Sequence, residues 1–459
     1  MNKISRILAT QKMFFKTQKT KDVTYRLSLL IALKEEIICK EQAIYDALYQ
    51  DFKKSEFEVF LSEYALTLKA LNLAIKNLKK WTKPNRVKAS MLSFPSSDYI
   101  YKEPYGTVLI ISPWNYPFIL AMAPIIMAIA AGNTVVLKPS ELTQNTAKLL
   151  SQIISKVFPK MVLVSVEGGV DVSTELLAQK WDYIFFTGST KVGKIVAKAA
   201  AGNLTPVTLE LGGKSPCIID ETIDLKLVAK RLVWGKLFNA GQTCIAPDYV
   251  LVKSHIKTKL IDLLKIEITK AYGKNTKTSN DFPRIINKKN LLRLKELLKD
   301  TNMIFGGDSD ERTYYLAPTL VDEPSLQSDL MTDEIFGPIL PILSYETESD
   351  IESIIYGLDK PLSLYVFSKN KKFINKIINK YSFGGGVIND SLIHFGNQKL
   401  PFGGVGASGM GAYHGKTGFD TFSHSKSIVK RGTWFDPPFR YAPYKGKLGL
   451  LKKMFKYLT

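Results

Sequence analysis

The chain has 459 residues, 45% of them hydrophobic, which suits a buried core and, at roughly 100–200 residues per domain, about two to four domains. No apolar run reaches the ~18 residues of a membrane-spanning helix, and the N-terminal MNKISRILATQKMFF lacks the apolar stretch and cleavage site of a secretory signal, so a cytoplasmic location is expected. The net charge of +21, from 63 basic and 42 acidic residues, comes from lysines scattered along the whole chain without a nucleic-acid-binding signature, and it reads as a solvated basic surface.

The first 80 residues read as helices, with apolar residues at three- and four-residue spacing over Thr24–Gln50 and Phe57–Trp81. A break with Pro and Ser follows at Pro84–Ser97. From Thr107 the pattern alternates. Strands are predicted at Thr107–Ser112, Thr134–Leu137, Leu163–Val166, Asp182–Phe186 and Pro206–Leu211. Helices fall between them over Pro117–Ala131, Thr143–Val157 and Lys191–Ala201. Such alternation means a parallel sheet covered by helices, an α/β fold. Ligands then bind at the carboxyl ends of the strands. A second cycle begins with a helix near Asp224–Asn239, a strand at Tyr249–Lys253 and a helix at Lys257–Tyr272. Asn275–Asp310 is charged and is expected to be irregular surface. Glycine-rich turns fill the last hundred residues.

Several short segments carry residues suited to chemistry. In FFTGSTKVGK (185–194), Gly188 allows a sharp turn out of a strand, and the following helix start offers free N–H groups to a phosphate. Gly188, Gly193 and Lys194 fit G-x-x-x-x-G-K, but Ile195 stands where a phosphate-binding loop needs Ser or Thr, so ATP hydrolysis is rejected. An ordinary strand-to-helix turn accounts for this segment equally well. Cys244 ends GQTC after a predicted helix. Its loop position favours exposure, although a lone Cys also serves as a small core residue. With Cys39 and Cys217 it forms neither a disulfide framework nor a zinc spacing, and no metal is expected. Glu210 lies inside the apolar strand LELGG and is either half of a buried ion pair or a general base. Asn115, boxed between Pro113 and Pro117, either makes a turn or presents its amide to a developing oxyanion.

Taken in order, PWNYP (113–117), KPSE (138–141), FTGST (186–190), LELGGKSP (209–216), GQTC (241–244), EIFGP (334–338) and PFGG (401–404) resemble the aldehyde dehydrogenase superfamily over nearly the whole chain. The longer strings GQTCIAPDYV (241–250) and PFGGVGASGMGAYHGK (401–416), and FFKTQKTKDVTYRL (14–27), resemble its class 3 branch. The resemblance implies a Rossmann-like cofactor domain (1–85 and 105–211) and an α/β catalytic domain (212–412). Small oligomerisation strands and a tail (86–104 and 413–459) complete it.

The same resemblance implies roles for single residues. Cys244 attacks the aldehyde carbonyl. Asn115 and the Cys244 backbone N–H hold the oxyanion, and Glu210 activates the water that hydrolyses a thioester. Lys138 and Glu141 match the adenosine-ribose pair, and Gly188, Ser189, Val192 and Gly193 the pyrophosphate turn. Glu334 and Phe336 match the residues at the nicotinamide ribose. NAD is the expected cofactor, with NADP also accepted. Tyr116, Trp234, Ile393 and Phe402 either line a tunnel for medium- to long-chain or aromatic aldehydes or belong to the plain core. A homodimer is expected. The final LGLLKKMFKYL (448–458) could touch an anionic membrane surface, with docking on its own protein or fraying favoured by its shortness. The alternatives are transfer of the acyl group to coenzyme A, against which Glu210 weighs, and a non-catalytic basic binding protein on the same fold.

Overall fold

The computed structural model describes residues 2–456; Tyr457 and Leu458 of the expected C-terminal helix lie outside the described residues. Among the described residues, two large sheets carry the fold. The first has six strands in the order Gly409–Met410, Val207–Glu210, Tyr183–Thr187, Thr107–Ile111, Thr134–Lys138 and Leu163–Ser165. All neighbours are parallel except the short Gly409–Met410, which runs antiparallel to Val207–Glu210. TVLII, TVVLK and YIFFT are buried at every position, as strands covered on both faces must be. The helix Ile119–Ala131 is also buried all round, which its Asp-, Glu-, Lys- and Arg-free sequence permits. It ends at Gly132, whose φ of 99° suits glycine.

The second sheet has seven strands in the order Met303–Phe305, Thr319–Asp322, Ile339–Tyr345, Tyr249–Lys253, Pro216–Ile219, Ser363–Phe367 and Gly385–Ile388. All pairs are parallel except the first. A separate antiparallel sheet joins Asn85–Val87, Ser96–Pro104 and Ser423–Arg431. The α/β class with a small extra sheet is therefore as expected. Among the described residues no helix is long and apolar enough to cross a membrane. Leu448–Lys456 forms a helix with no buried residue.

Three expectations need correction. Thr24–Gln50 is two helices, Val23–Cys39 and Glu41–Phe52, because Lys40 leaves helical geometry at φ −101° and ψ 15°. Phe57–Trp81 is interrupted by a π turn at Phe60–Tyr64. Asn275–Asp310 is not simply irregular. It holds the helix Lys288–Leu297, which buries Leu291, Leu294 and Leu297 and is capped by Asn287 accepting from the Asn290 N–H. It also holds the strand Met303–Phe305.

Candidate active site

Cys244 lies between two loops that are tied to each other. One is the stiff Ser112–Pro117 turn after the strand Thr107–Ile111. Asn115 there is 3% exposed, and its Nδ2 donates to the Gln242 carbonyl at 3.1 Å. The other is the Phe238–Gly241 turn after the helix Leu225–Leu237. Asn239 and Ala240 both adopt positive φ, 54° and 51°, a conformation that persists only when its surroundings hold it. The surroundings do so. Asn239 Nδ2 donates to the carbonyls of Asn115 at 2.8 Å and Gln242 at 3.1 Å. The Asn239 N–H donates to Glu58 Oε1 at 2.6 Å, and Gln242 Oε1 accepts the Ile286 N–H at 3.0 Å. Gly241 has φ 74°, and a Cβ there would lie 2.2 Å from the Gly337 carbonyl, so a side chain is excluded.

The Cys244 thiol is free and partly exposed. Burial pushes its pKa up, reinforced by the carboxylates of Glu334 and Glu210, while the N–H groups of Cys244 and Ile245 pull the other way. Glu210, the last residue of Val207–Glu210, is 3% exposed, and neither carboxylate oxygen has a hydrogen-bond partner among the described residues. Burial raises its pKa well above the ordinary range. Burial first, then Asp248, pushes Glu334 up to about 8, and its Oε1 is also without a partner. A Cβ on Gly212 would sit 2.0 Å from Glu334 Oε2, so this carboxylate packs directly on bare backbone.

Of the expected cofactor residues, Lys138, Glu141, Gly188, Ser189, Val192 and Gly193 lie at or after the carboxyl ends of two strands of the first parallel sheet, where ligands of open α/β sheets bind, while Glu334 and Phe336 precede the strand Ile339–Tyr345 of the second. Lys138 ends Thr134–Lys138, is 3% exposed, and pairs with Glu141 Oε2 at 2.6 Å. Ser189 caps the helix Thr190–Ala201 by accepting from the Val192 N–H at 3.4 Å. Gly188 packs so closely on the Phe186 ring that a Cβ would lie 2.5 Å from it, and a Cβ on Gly193 would lie 2.6 Å from Leu211. Buried hydroxyls of Ser112, after Thr107–Ile111, and Thr187 lack partners among the described residues, as does Glu334 Oε1. Bare glycines, a helix start and unpaired polar atoms together fit a phosphate- and ribose-bearing ligand. Phe336, at φ 52°, sets its ring edge against Trp114 at 5.2 Å.

Tyr116, Trp234 and Phe402 pack into one apolar cluster with Cys244, Phe238, Phe395 and Tyr413. The Tyr116 hydroxyl hydrogen-bonds the Thr243 hydroxyl at 2.6 Å, fixing the ring beside the thiol loop. Ile393 stands apart. It is 53% exposed and lines an apolar groove of about 460 Å³ with Leu364, Val366, Phe383 and Leu400.

Residues 2–428 match the Aldehyde dehydrogenase family. The chain belongs to the aldehyde dehydrogenase family. A 4,4'-diaponeurosporen-aldehyde dehydrogenase of Staphylococcus aureus is 48% identical over 99% of this chain and 100% of its own length. An aldehyde dehydrogenase family 3 member A2 of Pongo abelii is 44% identical over 96% and 93%. The solved substrate-bound state of Staphylococcus aureus AldH superposes with a TM-score of 0.97 at 48% identity, covering 99% of this chain and 100% of that one. Other solved relatives contain NAD+ or NADP. The chain is thus an NAD(P)-dependent aldehyde dehydrogenase of the class 3 type, oxidising aldehydes to acids.

Some residues around Cys244 escaped sequence reasoning. Glu58, Asn239 and Gln242 brace the thiol loop, and Phe238 and Phe395 pack against the same apolar core as Cys244. His414 is 2% exposed among Phe395, Phe402 and Tyr413, with neither ring nitrogen partnered among the described residues, and burial, then His394, pushes it down to about 3. Asn239, Gln242 and His414 lie inside or beside the GQTC and PFGGVGASGMGAYHGK strings, so their position was the available signal.

Proposed function

We propose that Cys244 is the nucleophile, Asn115 the oxyanion donor and Glu210 the base that activates water. The Cys244 thiol loses its proton to solvent as Sγ bonds to the aldehyde carbon, and the carbonyl oxygen becomes an oxyanion. The Asn115 side-chain N–H and the Cys244 backbone N–H donate to it. A dinucleotide, when bound, would supply the acceptor for the hydride lost from the adduct, so that a thioester remains on Cys244. Glu210 then takes a proton from water, the hydroxide adds to the thioester carbon, the C–S bond breaks to release a carboxylic acid, and the proton held by Glu210 passes to the sulfur. Lys138 and Glu141 would hold the adenosine ribose. Gly188, Ser189, Val192 and Gly193 would hold the pyrophosphate, and Glu334 and Phe336 the nicotinamide ribose.

The observation that carries this reading is the flanking of Cys244 by a braced amide on one side and unpartnered carboxylates on the other. Tyr116, Trp234 and Phe402 argue for medium- or long-chain aliphatic or aromatic aldehydes, as apolar members of the core cluster against which Cys244 packs. The similarity to a relative named for 4,4'-diaponeurosporen-aldehyde supports a large apolar substrate. The proposed division keeps 1–85 and 105–211 as the cofactor part, 212–412 as the catalytic part, and 86–104 with 413–459 as the oligomerisation part. We also propose a cytoplasmic homodimer. Two open sheet edges support the dimer: Ser423–Arg431, where Val429 is 56% exposed, and Gly385–Ile388, where Ile388 is 45% exposed.

Absorbance of the reduced cofactor, followed over an aliphatic series and benzaldehyde, tests the central step. Wild type should turn over, and Cys244→Ala should lose at least about 10⁴-fold in kcat. Residual turnover near wild type in the alanine variant would remove Cys244 from the mechanism.

A further inference from the structure

Lys54 takes no part in the steps above, yet it is 0% exposed. It sits in the short connection between Glu41–Phe52 and Glu56–Val59. A buried ammonium is costly unless it is paired and hydrogen-bonded. Its Nζ meets Glu63 Oε1 at 2.8 Å and the Asn115 carbonyl at 3.5 Å. It also lies 4.4 Å from the Tyr116 ring centroid and 5.2 Å from that of Phe52.

Glu63, also 0% exposed, uses its other oxygen to accept the N–H groups of Phe118 at 2.8 Å and Ile119 at 3.4 Å. The pair therefore grips residues 115–119 at both ends, the ammonium on the first carbonyl and the carboxylate on amides three and four residues later. Glu63 lies in the π turn Phe60–Tyr64, and single π turns recur at functional sites. The Asn115 carbonyl has a second donor in Asn239 Nδ2, so its backbone is held from two directions. Its side-chain nitrogen has two N–H groups, and the Gln242 carbonyl takes one. The other is left for an oxyanion.

We propose that Lys54, through its ion pair with Glu63, is a positioning residue for the oxyanion hole, holding the Asn115 amide where negative charge develops during attack by Cys244. A buried ion pair often adds little stability over apolar replacements, whereas it fixes geometry in more than one direction. A small displacement of a donor is expensive in rate. The inference rests on the assignment of Asn115 as oxyanion donor.

The test compares full-length wild type, Lys54→Met, Lys54→Met/Glu63→Gln and Asn115→Ala. The double variant removes both members of the ion pair, and Gln still accepts the Phe118 N–H, so it decides the matter if the single variant does not fold. Three rates are measured: kcat and KM with an aldehyde and NAD, acylation of Cys244 by p-nitrophenyl acetate, and its alkylation by iodoacetamide. The first two pass through an oxyanion, and alkylation does not. Both Lys54 variants should lose about tenfold to a hundredfold in kcat and acylation, with KM and alkylation within about threefold of wild type. Asn115→Ala should lose at least as much. If the double variant keeps kcat and acylation within about twofold while Asn115→Ala loses them, Lys54 does not position the hole and the Asn115 assignment stands. Alkylation falling in step with acylation also overturns the inference, since general damage to the site would explain both. If Asn115→Ala itself keeps acylation, the oxyanion assignment fails and the inference falls with it.

Discussion

The two flanks of Cys244 are built on opposite terms. On the Asn115 flank, amides, carbonyls and the carboxylates of Glu58 and Glu63 meet each other directly, although Asn239 Oδ1 has no partner among the described residues. On the Glu210 flank, both oxygens of Glu210 and one of Glu334 face no donor among the described residues. Satisfied buried groups stay where they are, which suits a donor that must meet charge without reorganising. Unsatisfied buried carboxylates are costly, and in a native protein they call for an explanation. The proposed roles offer one: Glu210 would meet the hydrolytic water and Glu334 the nicotinamide ribose. On that proposal the first flank is preorganised, and the second is completed by what it binds.

The largest effect that could break this comparison is at Glu210. Glu210→Gln keeps the shape and removes the base. Steady-state kcat should fall about 10²- to 10⁴-fold. Hydride transfer should survive, so rapid mixing should show a burst of reduced cofactor with little turnover after it. The raised pKa of Glu210 adds a pH signature. Only the ionised carboxylate accepts a proton, so deacylation in wild type should climb with pH from above the ordinary carboxylate range. The variant should lose that climb. A variant with unchanged kcat and no burst would mean that the unpartnered carboxylate is not the base.

A smaller effect sharpens the picture at the cofactor end. Glu141 is paired with Lys138 in a 2.6 Å contact but remains 43% exposed, so it can exchange that partner for ribose hydroxyls. A carboxylate there repels a 2′-phosphate. Glu141→Gln should raise the NADP-to-NAD ratio of kcat/KM by about tenfold, or about 1.4 kcal/mol. An unchanged ratio would take Glu141 out of the adenosine-ribose site.

The division between what was and was not readable follows the same physics. TVLII, TVVLK and YIFFT read as strands because burial on both faces demands continuous apolar runs, and burial on both faces is what the fold provides. Cys244, Glu210 and Asn115 could be singled out as candidates because their motifs are local. The braces beneath them were not. In KKSEFEVFLSE, Lys54, Glu58 and Glu63 look like the solvated face of a helix. Their partners, Asn115 and Asn239, lie 61 and 181 positions away, and no local pattern signals a charge buried by such distant contacts. The helix Lys288–Leu297 was hidden for the converse reason: its lysines mask three buried leucines. The strand Gly409–Met410, which pairs beside Glu210, is too short to show any period.

Glu58 offers the finest probe, because it belongs to the satisfied flank yet is not at ease there. It is 6% exposed and accepts the Asn239 N–H, and burial pushes it up to about 7 against the opposing pull of Lys54 and that N–H. A carboxyl whose folded pKa exceeds its unfolded value near 4.5 favours the native state fully below about pH 4.5, and that contribution is lost as pH rises through about 7. At about 1.4 kcal/mol per unit, the loss is on the order of 3 kcal/mol. Glu58→Gln cannot ionise and still accepts from Asn239. Its stability relative to wild type should therefore grow between pH 4.5 and 8, by about 2–3 kcal/mol in denaturant titrations and by a few degrees in Tm. A difference that stays constant with pH would mean that Glu58 is already ionised in the folded protein. The turn bearing Asn239 would then be held by a charge-assisted hydrogen bond.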